Sequence, residues 1–181
     1  KNLKKKNIAR DHNIFKPTEV SKLTLLNVHK ETYIDKINNL SLTQDEIRKL
    51  GFPLVSSVRR RSFVATGGTV LASKLAVKNK LACNTAGGSH HAFSDQGNGY
   101  CVFNDVAVAA KYLKKKYKFE KILILDLDVH QGDGTAKIFE KDDTIFTVSV
   151  HSKKNYPSKK QLSNIDIELD DGMEDEEYLN V

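Results

Sequence analysis

The sequence has only two cysteines in 181 residues, Cys83 and Cys101. A small disulfide-stapled fold is excluded, and so sparing a use of thiols suits a reducing, cytoplasmic setting. Cys83 reads as a small buried packing residue. Cys101, close to the Gly97-Asn98-Gly99 turn, reads as a neighbour of a site without being a ligand. No apolar run approaches the roughly 20 residues that span a bilayer. The basic start, Lys1 to Arg10, is followed by no apolar stretch of a secretory signal. The first residue is Lys rather than Met, which suggests a processed or partial product. Internal repeats and low-complexity tracts are also missing. Lys and Arg are absent from Leu162 onward, where eight acidic residues cluster from Asp166 to Glu177, whereas residues 1–61 are basic, including Lys4-Lys5-Lys6 and Arg59-Arg60-Arg61. The net charge of +6 comes without the interleaved aromatics or motifs of a nucleic-acid binder. The lysines and arginines read as solvated surface, and nucleic acid is not an expected partner.

What is present is length enough for one sizeable domain and an alternation of helical and strand patterns. The spacing predicts helix over residues 18–37, divisible into two pieces, and a turn of helix from Ser41 or Thr43 that stops at Gly51 before Pro53. Val64, Gly68, Leu71 and Leu75 share a helical face, so a long helix is expected over 58–79. The Gly67-Gly68 pair inside it points to close packing against a neighbour. A short strand is expected at Leu81–Ala86, a loop over 88–103, a helix over 104–117, a strand over 121–128, a helix near 134–140, a strand over 144–150 and a first helical turn in the tail from Asp171. Helices alternating with apolar strands imply an α/β fold with a parallel sheet and flanking helices.

Two polar clusters stand out. The run Ile122-Leu123-Ile124-Leu125 reads as a strand buried on both faces. It feeds Asp126-Leu127-Asp128-Val129-His130-Gln131-Gly132-Asp133. Alternation along a strand would send Asp126, Asp128 and His130 to one side at its carboxyl end, where ligands collect in open α/β sheets. Two carboxylates and an imidazole make an oxygen-plus-nitrogen set suited to a divalent metal. Gly87-Gly88-Ser89-His90-His91 adds two imidazoles, which meet one site only if the segment is a loop, as the glycines permit. Together the clusters point to metal-assisted hydrolysis.

The motifs Gly87-Gly88-Ser89-His90-His91-Ala92, Gly99-Tyr100-Cys101-Val102-Phe103-Asn104-Asp105 and Asp126-Leu127-Asp128-Val129-His130-Gln131-Gly132-Asp133-Gly134 resemble those of the histone deacetylase superfamily. The Arg59–Ala72 stretch, with Ala65-Thr66-Gly67-Gly68-Thr69, looks most like bacterial and class IV-type members. The resemblance runs from about residue 20 to the last residue. It implies an arginase-like α/β domain with an eight-stranded parallel sheet, of which residues 1–181 would be a single domain incomplete at its C-terminal side. It also implies zinc-dependent hydrolysis of acyl amides, with acylated lysine or a related acylated amine as substrate.

Carried over by match, Asp128 and His130 would be zinc ligands. His91 would be the general base and His90 an electrostatic or proton-donating partner, with Asp126 behind His90 and Asp133 behind His91. Asp126, backbone oxygens of Asp128, His130 and Val150, and the Ser149 hydroxyl would form a potassium site. Gly99 and Tyr100 would line the channel for the acyl-lysine stem, opposite Tyr156. The family's third zinc ligand and its transition-state tyrosine lie beyond this chain, and Asp166, Asp170 and Asp171 lack the motif to replace them. Two further readings follow: a non-catalytic remnant of such an enzyme, and an arginase-like binuclear manganese site. The second wants a carboxylate two residues after His130, where Gly132 stands. The unfinished sheet edges of such a chain predict self-association.

Overall fold

The computed structural model describes the chain apart from residues 1 and 7 and the side chains of residues 3 and 4. Helices α1 (Asn2–Lys5), α2 (Lys22–Leu25), α3 (Glu31–Asn38), α4 (Gln44–Leu50), α5 (Ser56–Asn79) and α6 (Asp105–Tyr117) come first. They are followed by strand β1 (Ile122–Asp126), α7 (Asp133–Phe139), β2 (Ile145–Ser152), β3 (Ile165–Leu169) and α8 (Asp175–Leu179). The strands pair in the order β1-β2-β3, both pairs parallel. No helix among the described residues is long and apolar enough to cross a membrane.

Local chemistry accounts for the helix ends. Thr43 and Glu46 form a reciprocal capping box at the start of α4, and Gly51 closes it with φ 93°, a conformation that costs glycine nothing. The Asn104 side chain caps α6 through the amide of Ala107. The glycine pair within α5 has the packing role its position suggests. The Val20 amide donates to the Phe63 carbonyl at 3.0 Å, and a Cβ on Gly67 would stand 3.1 Å from the Val20 nitrogen. Gly68 in turn receives the Asn84 side chain. Arg59 is tied down more firmly than a solvated cation: it pairs with Glu19 at 2.6 Å and lies over the Phe63 ring.

The core has two parts. One gathers Leu25, Tyr33, Ile34, Ile37, Leu50, Phe63, Val70, Phe103 and Val108 beneath α5 and α6. The other seats Ile124 and Ile145 of the sheet against Ala107, Ala110 and Phe139 of α6 and α7. Helix over 18–37 does divide, into α2 and α3, with His29 buried between them.

Three expectations are corrected. Leu81–Ala86 forms no strand: Asn84 bonds instead to the Ala65 carbonyl and the Thr69 hydroxyl, laying the segment along α5. With no sheet around it, Cys83 is exposed rather than buried. The strand at 122–126 is not buried on both faces either. Ile124 is covered by α6 and α7, but Leu123 and Leu125 are 61% and 54% exposed, because no described element covers the other face. Strand β3 went unforeseen, although Ile165, Ile167 and Leu169 alternate as a strand should.

Two outcomes follow from this packing. The Leu123–Leu125 face and the β1 edge, which no other described strand pairs, are expected to promote self-association, so Leu123→Lys with Leu125→Lys shifts the chain toward monomer in size-exclusion chromatography with light scattering. A monodisperse wild-type monomer that unfolds cooperatively would contradict this. The second concerns His29, whose pKa is lowered to about 4 by burial, against raising contributions from the Phe93 and Ser94 carbonyls and Asp95. A group neutral when folded contributes fully above its unfolded value of 6.5 and loses that contribution as pH falls toward 4. The linkage amounts to about 3 kcal/mol. Urea unfolding at pH 7 and pH 4 measures it, as the part of the pH dependence that His29→Gln removes.

Candidate active site and metal centre

The Gly87-Gly88-Ser89 turn is shaped from behind by one buried carboxylate. Asp105 accepts the amides of Gly88 (3.1 Å) and Ser89 (2.7 Å) and the Thr69 hydroxyl. Gly88 adopts φ 95°, which a side chain would resist. The segment is therefore a loop, and both imidazoles enter one site, with ring centroids 4.1 Å apart.

Each ring is backed by a carboxylate. His90 Nδ1 meets Asp126 Oδ2 at 2.5 Å, and His91 Nδ1 meets Asp133 Oδ1 at 2.6 Å. Both histidines and Asp133 are buried, so each polar group there needs a partner. Asp133 opens α7, where the helix dipole favours negative charge, and its second oxygen takes the Asn98 side-chain amide at 3.3 Å. Burial alone would depress the His90 pKa; hydrogen bonding to Asp126 and the charges of Asp126, Asp128 and Asp133 outweigh it and raise the value.

Asp126, Asp128 and His130 do converge, but not as one face of a strand. The strand ends at Asp126, and the chain then turns through side chain to backbone bonds. Asp126 Oδ1 accepts the Asp128 amide at 3.0 Å, and Asp128 Oδ1 accepts the His130 amide at 2.8 Å. Asp126 thus points inward to His90, while Asp128 and His130 stay open. Asp128 Oδ1 lies 3.1 Å from His130 Nδ1 and 3.9 Å from His90 Nε2. Two ligands of a tetrahedral zinc stand about 3.4 Å apart, so the first pair fits one metal as a carboxylate–imidazole set. Among the described residues no group of three or more His, Cys, Asp or Glu converges on a metal position. A Cβ at Gly132 would collide with the Asp126 carboxylate, leaving no room for the bridging carboxylate of a binuclear site.

Asp126 and Ser149 are register partners across β1 and β2. The Ser149 hydroxyl lies 3.0 Å from His151 Nδ1, and both residues, like Val150, are buried. Hard oxygen donors of this kind suit a hard cation.

The expected substrate residues divide. Tyr156 stands edge-on to His91 at 4.8 Å and to His130 at 6.0 Å between ring centroids. Burial and the Asp133 charge raise its pKa, with an Asn98 hydrogen bond opposing them. Gly99 lies against both rings: a Cβ there would come within 2.8 Å of His91 and 3.0 Å of Tyr156. Tyr100 is 73% exposed. Its ring stacks on Phe52 and covers Gly51, beside a cavity of about 330 Å³ that Arg61, Ser89 and Phe103 also line. Cys101 is buried, and burial pushes its thiol up to about 11, which favours the protonated form at neutral pH.

Sequence reading missed several supporting residues. Asn98 and Asp105 hold the site from behind, and Asn104 was seen only as a helix start. Gln131 is buried and bonds to the Gln161 carbonyl (2.7 Å) and Asp166 (2.8 Å), anchoring β3 behind the metal loop. Only the polar residues between Gly97 and Asp105 offered a signal for the first three.

Comparison with known proteins bears on the family and the fold. The family described as Histone deacetylase domain matches residues 1–181. An uncharacterized protein of Picosynechococcus is 41% identical over 174 residues, covering 96% of this chain and 58% of that protein. The acetoin utilization protein AcuC of Staphylococcus aureus is 32% identical over 155 residues, 80% of this chain and 40% of AcuC. The crystal structure of a histone deacetylase homologue from Aquifex aeolicus superposes with a TM-score of 0.86 at 29% identity, over 98% of this chain and 54% of that one. The chain thus spans about half the length of the relatives it matches. Its parallel sheet and flanking helices are those of the deacetylase homologue, and the chain belongs to the histone deacetylase family.

Proposed function

We propose that residues 1–181 form a single, partial deacetylase domain carrying the larger share of a zinc-dependent amidohydrolase site. Its reaction removes acetyl or other acyl groups from lysine or a related amine. One observation carries this reading: two carboxylate-backed imidazoles flank a carboxylate–imidazole pair spaced for one metal ion.

Asp128 and His130 would hold zinc with one further ligand from outside this chain. Zinc bound there lowers the pKa of water toward about 7 and polarises the amide carbonyl. His91 serves as the general base: Asp133 fixes its tautomer, leaves Nε2 free to take a proton from the attacking water, and steadies the imidazolium that results. His90, held by Asp126 and raised in pKa, either stabilises the developing negative charge or gives its own proton to the leaving amine as the C–N bond breaks, while His91 keeps the proton taken from water. Gly99 gives the acyl-lysine stem room beside His91 and Tyr156 supplies an aromatic wall, whereas the Tyr100 ring is turned toward Phe52 and Gly51. A lysine stem neutralised by acylation suits such a wall better than a free ammonium would. Asp126, Ser149 and backbone oxygens of Asp128, His130 and Val150 would hold a structural potassium ion beneath the site. The two free cysteines fit a cytoplasmic location.

A second reading is a remnant without catalysis; among the described residues no third His, Cys, Asp or Glu joins Asp128 and His130. Isothermal titration with zinc and hydrolysis of a fluorogenic acetyl-lysine peptide separate the two. The expected result is zinc binding that His130→Ala weakens at least about tenfold, with hydrolysis abolished by chelator and restored by zinc. Binding without hydrolysis supports the remnant, and zinc affinity indifferent to His130→Ala overturns the metal site. Where hydrolysis is measured, His91→Ala lowers kcat by about 10² to 10⁴.

A further inference from the structure

His90 and His91 are adjacent in sequence, so their rings meet only if the peptide planes around His91 are held in one orientation. Ring contacts with Asp126 and Asp133 cannot do this alone, since they fix side chains and not backbone. The backbone restraint comes from the start of α6. Asn104 is fully buried, and its amide nitrogen donates to the carbonyls of His90 and Ala92, each at 3.2 Å. These two carbonyls belong to the peptide planes on either side of the His91–Ala92 unit. The same nitrogen reaches the Thr135 hydroxyl at 3.0 Å. The Thr135 amide also donates to the His90 carbonyl, at 3.0 Å. Gly134 presses on this backbone closely, since a Cβ there would stand 2.6 Å from the His91 carbonyl carbon.

Asn104 is itself anchored at both ends. Its side-chain oxygen accepts the Ala107 amide at 3.0 Å, fixing it to α6, and its own backbone amide donates to His29 Nε2 at 3.0 Å. His29 accepts only as a neutral ring, which its burial beside Tyr33 and Phe103 maintains against the opposing Asp95 charge. A side-chain amide is the group this place requires. It brings donors for two carbonyls and an acceptor for the helix, whereas Asp would bring no donor and Ser no reach.

We propose that Asn104 is a positioning residue for the tandem histidines, its side-chain amide locking the backbone on both sides of His91 while His29 anchors Asn104. The proposal rests on the reading of His91 as the base. It deepens that reading because a reacting group must be held to within about 0.5 Å and 10–20° of its productive geometry.

The test uses this 181-residue chain and needs no turnover. The ring N–H protons of His90 and His91, hydrogen bonded to Asp126 and Asp133, are followed by nitrogen-15 NMR and hydrogen exchange. Asn104→Ser retains a helix cap and removes the amide. In a variant that still unfolds cooperatively, the His91 ring proton is expected to exchange about 10- to 100-fold faster, while His130 signals stay in place. Wild-type exchange in folded Asn104→Ser overturns the proposal. Should that variant fail to fold, Asn104→Asp decides, with the same two outcomes. The wild-type chain supplies a further check: the Asn104 side-chain amide protons must be protected, and free exchange there overturns the clamp. In the hydrolysis assay kcat falls about 10- to 100-fold in Asn104→Ser with KM unchanged. Hydrolysis missing from the wild type overturns the catalytic reading alone, because ring-proton exchange judges the clamp by itself.

Discussion

Two buried imidazoles, each paired with a carboxylate that is buried (Asp133) or nearly so (Asp126), set the terms for the rest of this molecule. Removing four ionisable groups from water is costly unless each finds a partner, and here the pairing is mutual: Asp126 with His90 and Asp133 with His91. The pairs draw on distant parts of the chain: one histidine loop, the last residue of β1 and the first residue of α7. The fold must bring these segments into register before either pair can form. The long α5, the capped start of α6 and the parallel β1–β2 pair all serve that convergence.

Around the pairs the chain spends its buried polar groups on backbone. Asp105 holds the amides ahead of the histidines, Asn104 the carbonyls after them, and Gln131 ties the metal loop to the approach of β3. Backbone groups have no rotamers to lose, so restraining them places the attached rings at little entropic cost. The open side of the site has the opposite character. Asp128, His130 and Tyr156 stay accessible, which is where a ligand must enter.

Much of the site was legible from residue type and spacing. His90, His91, Asp126, Asp128, His130 and Asp133 gather as their motifs suggested, because glycines beside them announced loops and apolar runs announced the strand feeding them. Helix boundaries at Gly51 and Asn104 were also visible, since capping is local chemistry. The failures lie where neighbours decide. Leu81–Ala86 has a strand-like run but lies along α5, held by Asn84. Leu123 and Leu125 look like core but face no described element. Asn98 and Asn104 carry no periodicity, and their partners within the site lie 12 or more residues away in sequence, so no local pattern marks that role. The same limit applies to Tyr100, whose neighbours Phe52 and Gly51 come from the end of α4.

The alignment of Asp126 with Ser149 across β1 and β2 has a bearing on how this protein tolerates change. Neighbours along a strand point to opposite sides, so a slip of a single position would set Asp126 against Val148 or Val150. It would also turn the hydroxyl and Ile145 of the same strand toward the wrong layers together. Insertions or deletions between residues 133 and 145 therefore act on the polar centre even though they fall outside it. Length in that connection is as much a part of the active geometry as any side chain.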